Sequence, residues 1–386
     1  MPLNFKTIRD IKDLKNKTVL LRVDFNVPIE KGKIKDDYKI KTSLPTIKYL
    51  LDKKVKIILV SHLGRPLKKE KKYSLKPVAL ELEKLLKRKI GFQDFKKYKK
   101  NNNSITLLEN IRYYKEEQDN SVKFSESLAS LADIFILDGF AVSHRASASV
   151  VGVSKFLPAY AGLLFEKEIN GLNKVLVNPK KPMIIILGGV KMETKIPILK
   201  NLIKLADYIL VGGGVANTFL KSKGYKVGTS LTDDNYLKQA LAFVSKQKII
   251  LPLDVIVGGK NGKNCEIVNI DKNFKIIDPK LGIYDIGPQT VQKYSEFIKQ
   301  AKTLVWNGAL GYFEQKEYSY GTYALASLIS ARSKGKAYGV CGGGETIEIL
   351  KNLKLEDDID LLSTGGGAML EFLAGKKLPG LEILKK

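Results

Sequence analysis

Short unbroken apolar runs recur along the chain, at 19–24, 55–61, 134–138, 183–188, 208–212, 253–257, 303–306, 337–341 and 359–362. Each closes on glycine or small polar residues. Runs of this length, rich in Val, Ile and Leu, predict strands buried on both faces, and such strands belong to parallel sheets. Between many of them the apolar residues shift to i, i+3 and i+4 spacing, as at 77–86, which predicts helices. Alternating strands and helices predict α/β units. The series breaks once. Residues 158–178 contain a long candidate helix at 163–177, and Pro179 and Pro182 then precede a fresh strand. The expected fold is α/β, with two doubly wound, Rossmann-like parallel-sheet domains joined by a helix and a hinged cleft between them.

Composition narrows the class. The 386 residues are 44% hydrophobic and 27% charged, which excludes a disordered chain, a collagen-like fibre and a disulfide-stapled miniprotein. The longest apolar run, 183–187, is far short of the roughly 20 residues that span a bilayer. The first residues carry no apolar signal core, so no export is expected. Cys265 and Cys341 have no metal-type spacing and are expected reduced, in the cytoplasm. The net charge is +26, yet only seven of the 66 basic residues are arginines. The lysines fall in short runs along the whole chain, the pattern of solvated faces rather than of a nucleic-acid reader, which clusters its basic residues. Such a positive field draws in anionic substrates without identifying them.

Chemistry concentrates at the ends of the predicted strands, where ligands of open parallel sheets bind. In the first half these ends carry Arg22, Asp24 and Asn26, then Ser61-His62-Leu63-Gly64-Arg65, then Glu109-Asn110-Ile111-Arg112, then Asp138 running on to His144-Arg145. Both histidines and four of the seven arginines lie in these segments. Arginine alone offers a planar fork that matches carboxylate or phosphate, so this half predicts an anion site. The second half places glycine clusters after its strands, at 188–189, 212–214, 342–344 and 365–367. Glycine lets backbone approach a ligand, and helix N-termini aim N–H groups at anions. Lys191 and Lys195, four apart, are spaced to reach one phosphate chain. A polyphosphate site is expected there. No P-loop, no dinucleotide G-x-G-x-x-G and no protein-kinase signature occurs.

Taken in order, these motifs resemble the phosphoglycerate kinase family over essentially the whole chain. The resemblance runs through Arg22-Val23-Asp24-Phe25-Asn26-Val27-Pro28, Ser61-His62-Leu63-Gly64-Arg65-Pro66, Leu108-Glu109-Asn110-Ile111-Arg112 and His144-Arg145-Ala146. It continues through Leu187-Gly188-Gly189, Asp285-Ile286-Gly287-Pro288, Trp306-Asn307-Gly308, Phe313-Glu314 and Ser363-Thr364-Gly365-Gly366-Gly367-Ala368. It implies reversible phosphoryl transfer between 1,3-bisphosphoglycerate and ADP, giving 3-phosphoglycerate and ATP, with Mg²⁺. It also implies a monomer that hinges closed, with no membrane or nucleic-acid partner. By the same resemblance, residues 1–158 bind 3-phosphoglycerate, 159–178 form the interdomain helix, 179–373 bind nucleotide, and 374–386 fold back onto the first domain.

Carried over position by position, Asp24, Phe25, Asn26, Lys39, His62, Leu63, Gly64, Arg65, Arg112 and Arg145 would contact the acid. Lys195, Gly212, Gly213, Asn307, Glu314, Gly343, Gly344, Glu345 and Thr346 would contact the nucleotide, with Glu345 at the metal. Lys39, Lys191, Lys195, Gly344 and Gly367 would serve catalysis. Several positions depart from the family pattern. Lys39 replaces a usual arginine, Glu345 a usual aspartate, Ala309 a proline, Tyr312 a small aliphatic residue and Ser147 a common histidine, while Asp138-Gly139-Phe140 stands against N-D-A-F-G. These departures raise the alternative of a degenerate relative that binds anions or nucleic acid without turnover.

Overall fold

Val19, Leu20, Leu21, Ile57, Ile58 and Leu59 bury side chains on both faces of their strands, so the strands carrying them become central. In the computed structural model, whose described residues are 4–386, the first sheet has six strands. They are β1 (Thr18–Arg22), β2 (Lys56–Val60), β3 (Gly91–Gln93), β4 (Ile105–Leu108), β5 (Ile134–Leu137) and β6 (Ala159–Ala161), in the order β3-β4-β2-β1-β5-β6. Every pairing is parallel, with Val19 opposite Ile57 on one side and Ile134 on the other. The helix Lys76–Leu86 starts on Pro77, where a missing N–H costs nothing, and buries Val78, Ala79 and Leu82. Each such buried Val or Leu contributes about 1.5–3 kcal/mol.

The second sheet repeats the plan with β7 (Met183–Leu187), β8 (Tyr208–Val211), β9 (Ile249–Ile250), β10 (Thr303–Asn307), β11 (Tyr338–Gly342) and β12 (Leu361–Ser363). Its order is β9-β8-β7-β10-β11-β12, again all parallel. The chain winds outward from β7 in one direction and returns from β10 in the other. The crevice at the carboxyl ends of β7 and β10 is therefore a topological switch point, and β1 and β5 make the equivalent point in the first sheet.

One expected parallel strand is not in either sheet. The run 253–257 lies in Asp254–Gly258, the centre of a three-stranded antiparallel sheet with Glu266–Asn269 and Gly282–Ile286. Its Val255 and Val257 are buried against Leu220, Phe274 and Ile283, which explains the unbroken apolar pattern. No helix lies between it and either partner, so neither is reached by a helical crossover and both pair antiparallel. The pattern also passes over β3, β4, β6 and β9. β3, β6 and β9 are two- and three-residue strands at sheet edges, where a single neighbour asks for little length, whereas β4 lies inside the sheet with all four residues buried.

The described chain forms two compact units, Met1–Asn170 with Lys377–Lys386, and Gly171–Lys376. The division falls inside the helix Leu163–Leu176. The C-terminal segment is tied to the first unit by backbone hydrogen bonds from Lys6 N to Leu384 O (2.7 Å) and Gly380 N to Ser143 O (2.8 Å). Among the described residues no helix is long and apolar enough to cross a membrane.

Candidate active site

Arg22 ends β1 and is almost wholly buried, so each of its donors needs an acceptor inside the protein. Its Nε donates to Ser149 Oγ (2.8 Å) and its Nη2 reaches His62 Nδ1 (3.3 Å). A guanidinium has no acceptor, so His62 Nδ1 must accept and the ring proton sits on Nε2. Burial, with Arg22, Arg112 and Lys39 nearby, holds His62 well below the usual histidine range despite the opposing pull of Asp24. His62 is thus a neutral donor, not a cation.

Asp24 lies two residues beyond β1. Its Oδ2 takes Lys39 Nζ at 2.7 Å and its Oδ1 caps Asn26 N at 3.1 Å. Burial alone would raise this carboxyl, but the Lys39 ammonium, with the Asn26 N–H, outweighs it and brings it to about 2. Asn26 in turn accepts from Gly64 N (2.8 Å), and Arg112 Nη1 donates to Gly64 O (2.7 Å). Gly64 has a positive φ of 62°, and a Cβ there would lie 2.5 Å from the Tyr73 ring. The turn bearing Arg65 therefore requires glycine. Phe25 is buried, its N–H donating to Ser61 Oγ (2.8 Å).

Arg22, Arg112 and Arg145 line one cavity of about 220 Å³, with Glu117 as its only acidic side chain. Burial and the like charges of Arg145 and Arg22 pull Arg112 down to about 10. Three cations crowded against one acid give the cavity a net positive charge suited to an anion. Arg65 is exposed, while Leu63 is buried in the turn before it.

In the second unit, Lys195 is buried in the helix Met192–Leu202 and its Nζ donates to Asn307 Oδ1 at the end of β10. Asn307 Nδ2 donates to Gly342 O (2.5 Å), fixing the amide so that its oxygen faces the lysine. Burial pulls Lys195 down to about 8, opposed by Glu345. Lys191 is exposed and stands before the first helical turn, so the two lysines are four apart in sequence but in unlike surroundings.

The glycine clusters divide by use. A Cβ on Gly188 would lie 2.0 Å from Ala309 O, and one on Gly212 2.6 Å from Leu310 Cδ2. Gly212 N and Gly213 N already donate to Leu187 O (3.0 Å) and Leu310 O (2.8 Å). These glycines let one strand-end loop pack on another. Gly344 is different, since a Cβ there would meet open space, as it would at Gly366 just before Gly367. The helix Gly344–Asn352 opens at Gly343 (φ 104°) with no side-chain cap, leaving its first N–H groups directed outward. A polyphosphate fits that end best. Thr346 Oγ1 accepts from Gly308 N (2.8 Å), holding the β10 loop beside it.

Exposed Glu345 accepts from Ala309 N (3.2 Å) through one carboxylate oxygen. Among the described residues no three His, Cys, Asp or Glu side chains gather as a metal cage. Mg²⁺ needs none, because it binds through one or two carboxylates with phosphates and water, so a single glutamate suits it. Glu314 is exposed on the segment after β10, beside Tyr312, whose ring lies 6.2 Å from Tyr284. Residue patterns alone passed over Glu117; they placed Arg22 among the strand-end arginines of the expected anion site, but the position-by-position resemblance did not carry it over. Arg22 had a signal, as an arginine at a strand end. Glu117 had none, because its neighbour Glu116, a half-buried partner of Lys96 (3.5 Å), reads the same in sequence.

Comparison with known proteins bears on the family and the fold. The family model described as phosphoglycerate kinase matches residues 8–376. The phosphoglycerate kinase of Borreliella afzelii is 43% identical over 398 aligned positions, covering 100% of both chains. That of Leptospira biflexa is 44% identical, covering 97% of this chain and 96% of its own. The solved phosphoglycerate kinase structure from Coxiella burnetii superposes with a TM-score of 0.87 at 40% identity, covering 98% of each chain. The one from Pyrococcus horikoshii does so at 0.85 and 32%, again covering 98% of each. None of these relatives supports the alternative of a binding protein without turnover. The chain belongs to the phosphoglycerate kinase family.

Proposed function

We propose that the arginine cavity of the first unit holds 3-phosphoglycerate and the switch point of the second holds the nucleotide. The family activity, shown by the relatives, is reversible phosphoryl transfer between 1,3-bisphosphoglycerate and ADP, and members use ATP or ADP with Mg²⁺. The observation that carries the site assignment is the convergence of Arg22, Arg112 and Arg145 on one cavity. In the ATP-consuming direction, a carboxylate oxygen of the acid attacks the γ-phosphorus as the bond to the β–γ bridging oxygen breaks. The attacking oxygen is already ionised, so no base is needed, which suits a neutral His62 that only donates. Arg112 and Arg145 hold the acid's phosphate, and Asp24, Asn26 and His62 orient its hydroxyl and carboxylate. Lys195 and the N–H groups at Gly344 hold the nucleotide phosphates, with Lys191 near the transferring group. Glu345 would hold Mg²⁺, whose charge would neutralise the phosphates. Alignment and charge cancellation are what this reaction asks of a protein. Free thiols at Cys265 and Cys341 support a cytoplasmic setting, and a monomer is the simplest assembly for it.

In an assay coupling 1,3-bisphosphoglycerate to NADH oxidation by glyceraldehyde-3-phosphate dehydrogenase, turnover is expected only with 3-phosphoglycerate, ATP and Mg²⁺ together, and EDTA abolishes it. Folded protein that binds nucleotide without turnover would overturn the reading. Lys39 bears on rate. Its ammonium spends one contact on Asp24 and lacks the fork of a guanidinium. Lys39→Arg is expected to raise kcat by about threefold to tenfold, from one added charge-assisted hydrogen bond. A variant no faster than wild type shows that a point charge suffices.

A further inference from the structure

The anion cavity contains a group that opposes its purpose. Glu117 forms part of its wall and is only 2% exposed, beside three guanidiniums. Its Oε1 accepts from Ser147 Oγ (2.8 Å) and Ser149 Oγ (2.6 Å), and its Oε2 from Ser149 N (2.8 Å). Ser149 Oγ in turn accepts from Arg22 Nε (2.8 Å), so carboxylate, hydroxyl and guanidinium form one chain. The backbone carbonyl of Glu117 also takes Ala148 N (2.9 Å), securing the turn after Arg145. A glutamine would still take Ser149 N through its oxygen and meet the two serine hydroxyls through its amide, so the turn does not itself require a charge. What the carboxylate adds is charge, and it acts on both Arg22 and Arg112.

We propose that Glu117 is a positioning and affinity-setting residue that reduces the cavity from three positive charges to two, matching a phosphate dianion so that the phosphorylated acid is released as readily as it is bound. The proposal rests on the assignment of this cavity to the acid. Without Glu117 the cavity binds the ground-state phosphate too tightly, and uniform tightening of substrate and transition state does not speed turnover.

Glu117→Gln tests it, because the hydroxyls of Ser147 and Ser149 can rotate to accept from the new amide while its oxygen still takes Ser149 N. Titration of the full chain with inorganic phosphate is expected to show about tenfold tighter binding in Glu117→Gln. KM for 3-phosphoglycerate is expected to fall and kcat not to rise, falling where release of the phosphorylated acid limits turnover, so that kcat/KM increases. Glu117→Asp, which keeps the charge, is expected to bind phosphate as wild type does, and unchanged melting temperatures confirm folding. Unaltered phosphate affinity in Glu117→Gln overturns the charge-setting role while leaving the cavity assignment intact. Weaker binding in both variants shows that Glu117 only holds the turn, which also overturns it. If wild type itself binds no phosphate in competition with the acid, the cavity assignment and this proposal fail together.

Discussion

Lys195→Met lowers kcat/KM for Mg-ATP by about 10²–10³-fold, roughly 2.7–4 kcal/mol, the typical cost of removing one preorganised charge stabiliser. Methionine has nearly the length of lysine, so the helix Met192–Leu202 keeps its packing and only the ammonium is lost. Competition between inorganic phosphate and the acid in the first unit is expected to stay unchanged, because Arg112 and Arg145 lie in a different unit. The wild type carries a matching pH signature. Burial brings the Lys195 ammonium down to about 8, so the free protein loses this charge as pH rises through that value. Nucleotide affinity is therefore expected to weaken from about pH 7 to about pH 9, with proton uptake on binding at the upper end. Calorimetry in two buffers of different ionisation enthalpy measures that uptake. A Lys195→Met protein with the same pH dependence of affinity as wild type would place the titration elsewhere.

The largest effect on stability is expected from Asp138, at the end of β5. Its Oδ1 accepts from Thr46 Oγ1 (2.9 Å) and from Leu164 N (2.9 Å) in the first turn of the helix Leu163–Leu176. Its Oδ2 is buried with no hydrogen-bond partner. Gly162 makes room for it, since a Cβ there would lie 2.1 Å from Oδ1. Burial pushes this carboxyl up from 3.8 to about 7, outweighing the hydrogen bonds from Thr46, Leu164 and Phe165.

A raised carboxyl reverses the usual acid dependence. Below about pH 4 both folded and unfolded states are protonated and the group contributes nothing. Between about pH 4 and 7 the unfolded chain ionises while the folded one stays protonated, so the folded state binds more protons and stability falls as pH rises. The loss through this group approaches about 4 kcal/mol by pH 7. Asparagine cannot titrate. The stability of Asp138→Asn relative to wild type is therefore expected to rise by about that amount from pH 4 to pH 8 in urea unfolding, whatever its constant offset. A difference that stays flat across this range would show that Asp138 ionises freely in the fold. Asp285 in the second unit, pushed up to about 8 by burial, cancels from such a comparison.

Much of this molecule is legible in its sequence. Apolar runs at 19–24, 55–61, 134–138, 183–188 and 303–306 became β1, β2, β5, β7 and β10, which include the four strands that border the two switch points. Their ends carry Arg22, Asp24, Gly188 and Asn307, so the sequence located the chemistry as well as the sheets. Burial on both faces writes itself into every residue of a strand, and strand-end chemistry lies one or two residues further on. Both are local facts.

Partnership is not local. Whether 253–257 pairs parallel or antiparallel depends on how the chain returns to it, and its own side chains read the same either way. Arg22 meets Ser149 across 127 positions, and Lys195 meets Asn307 across 112. No spacing rule reaches that far. The sequence by itself determined the α/β class, the two sheets and the family. The tertiary structure alone decided that Gly188 and Gly212 serve packing while Gly344 stays open, and that Glu117 turns inward while Glu116 does not. The physical reason is that periodicity records how much of a segment is buried, whereas charge, hydrogen bonding and close approach depend on which distant segments bury it.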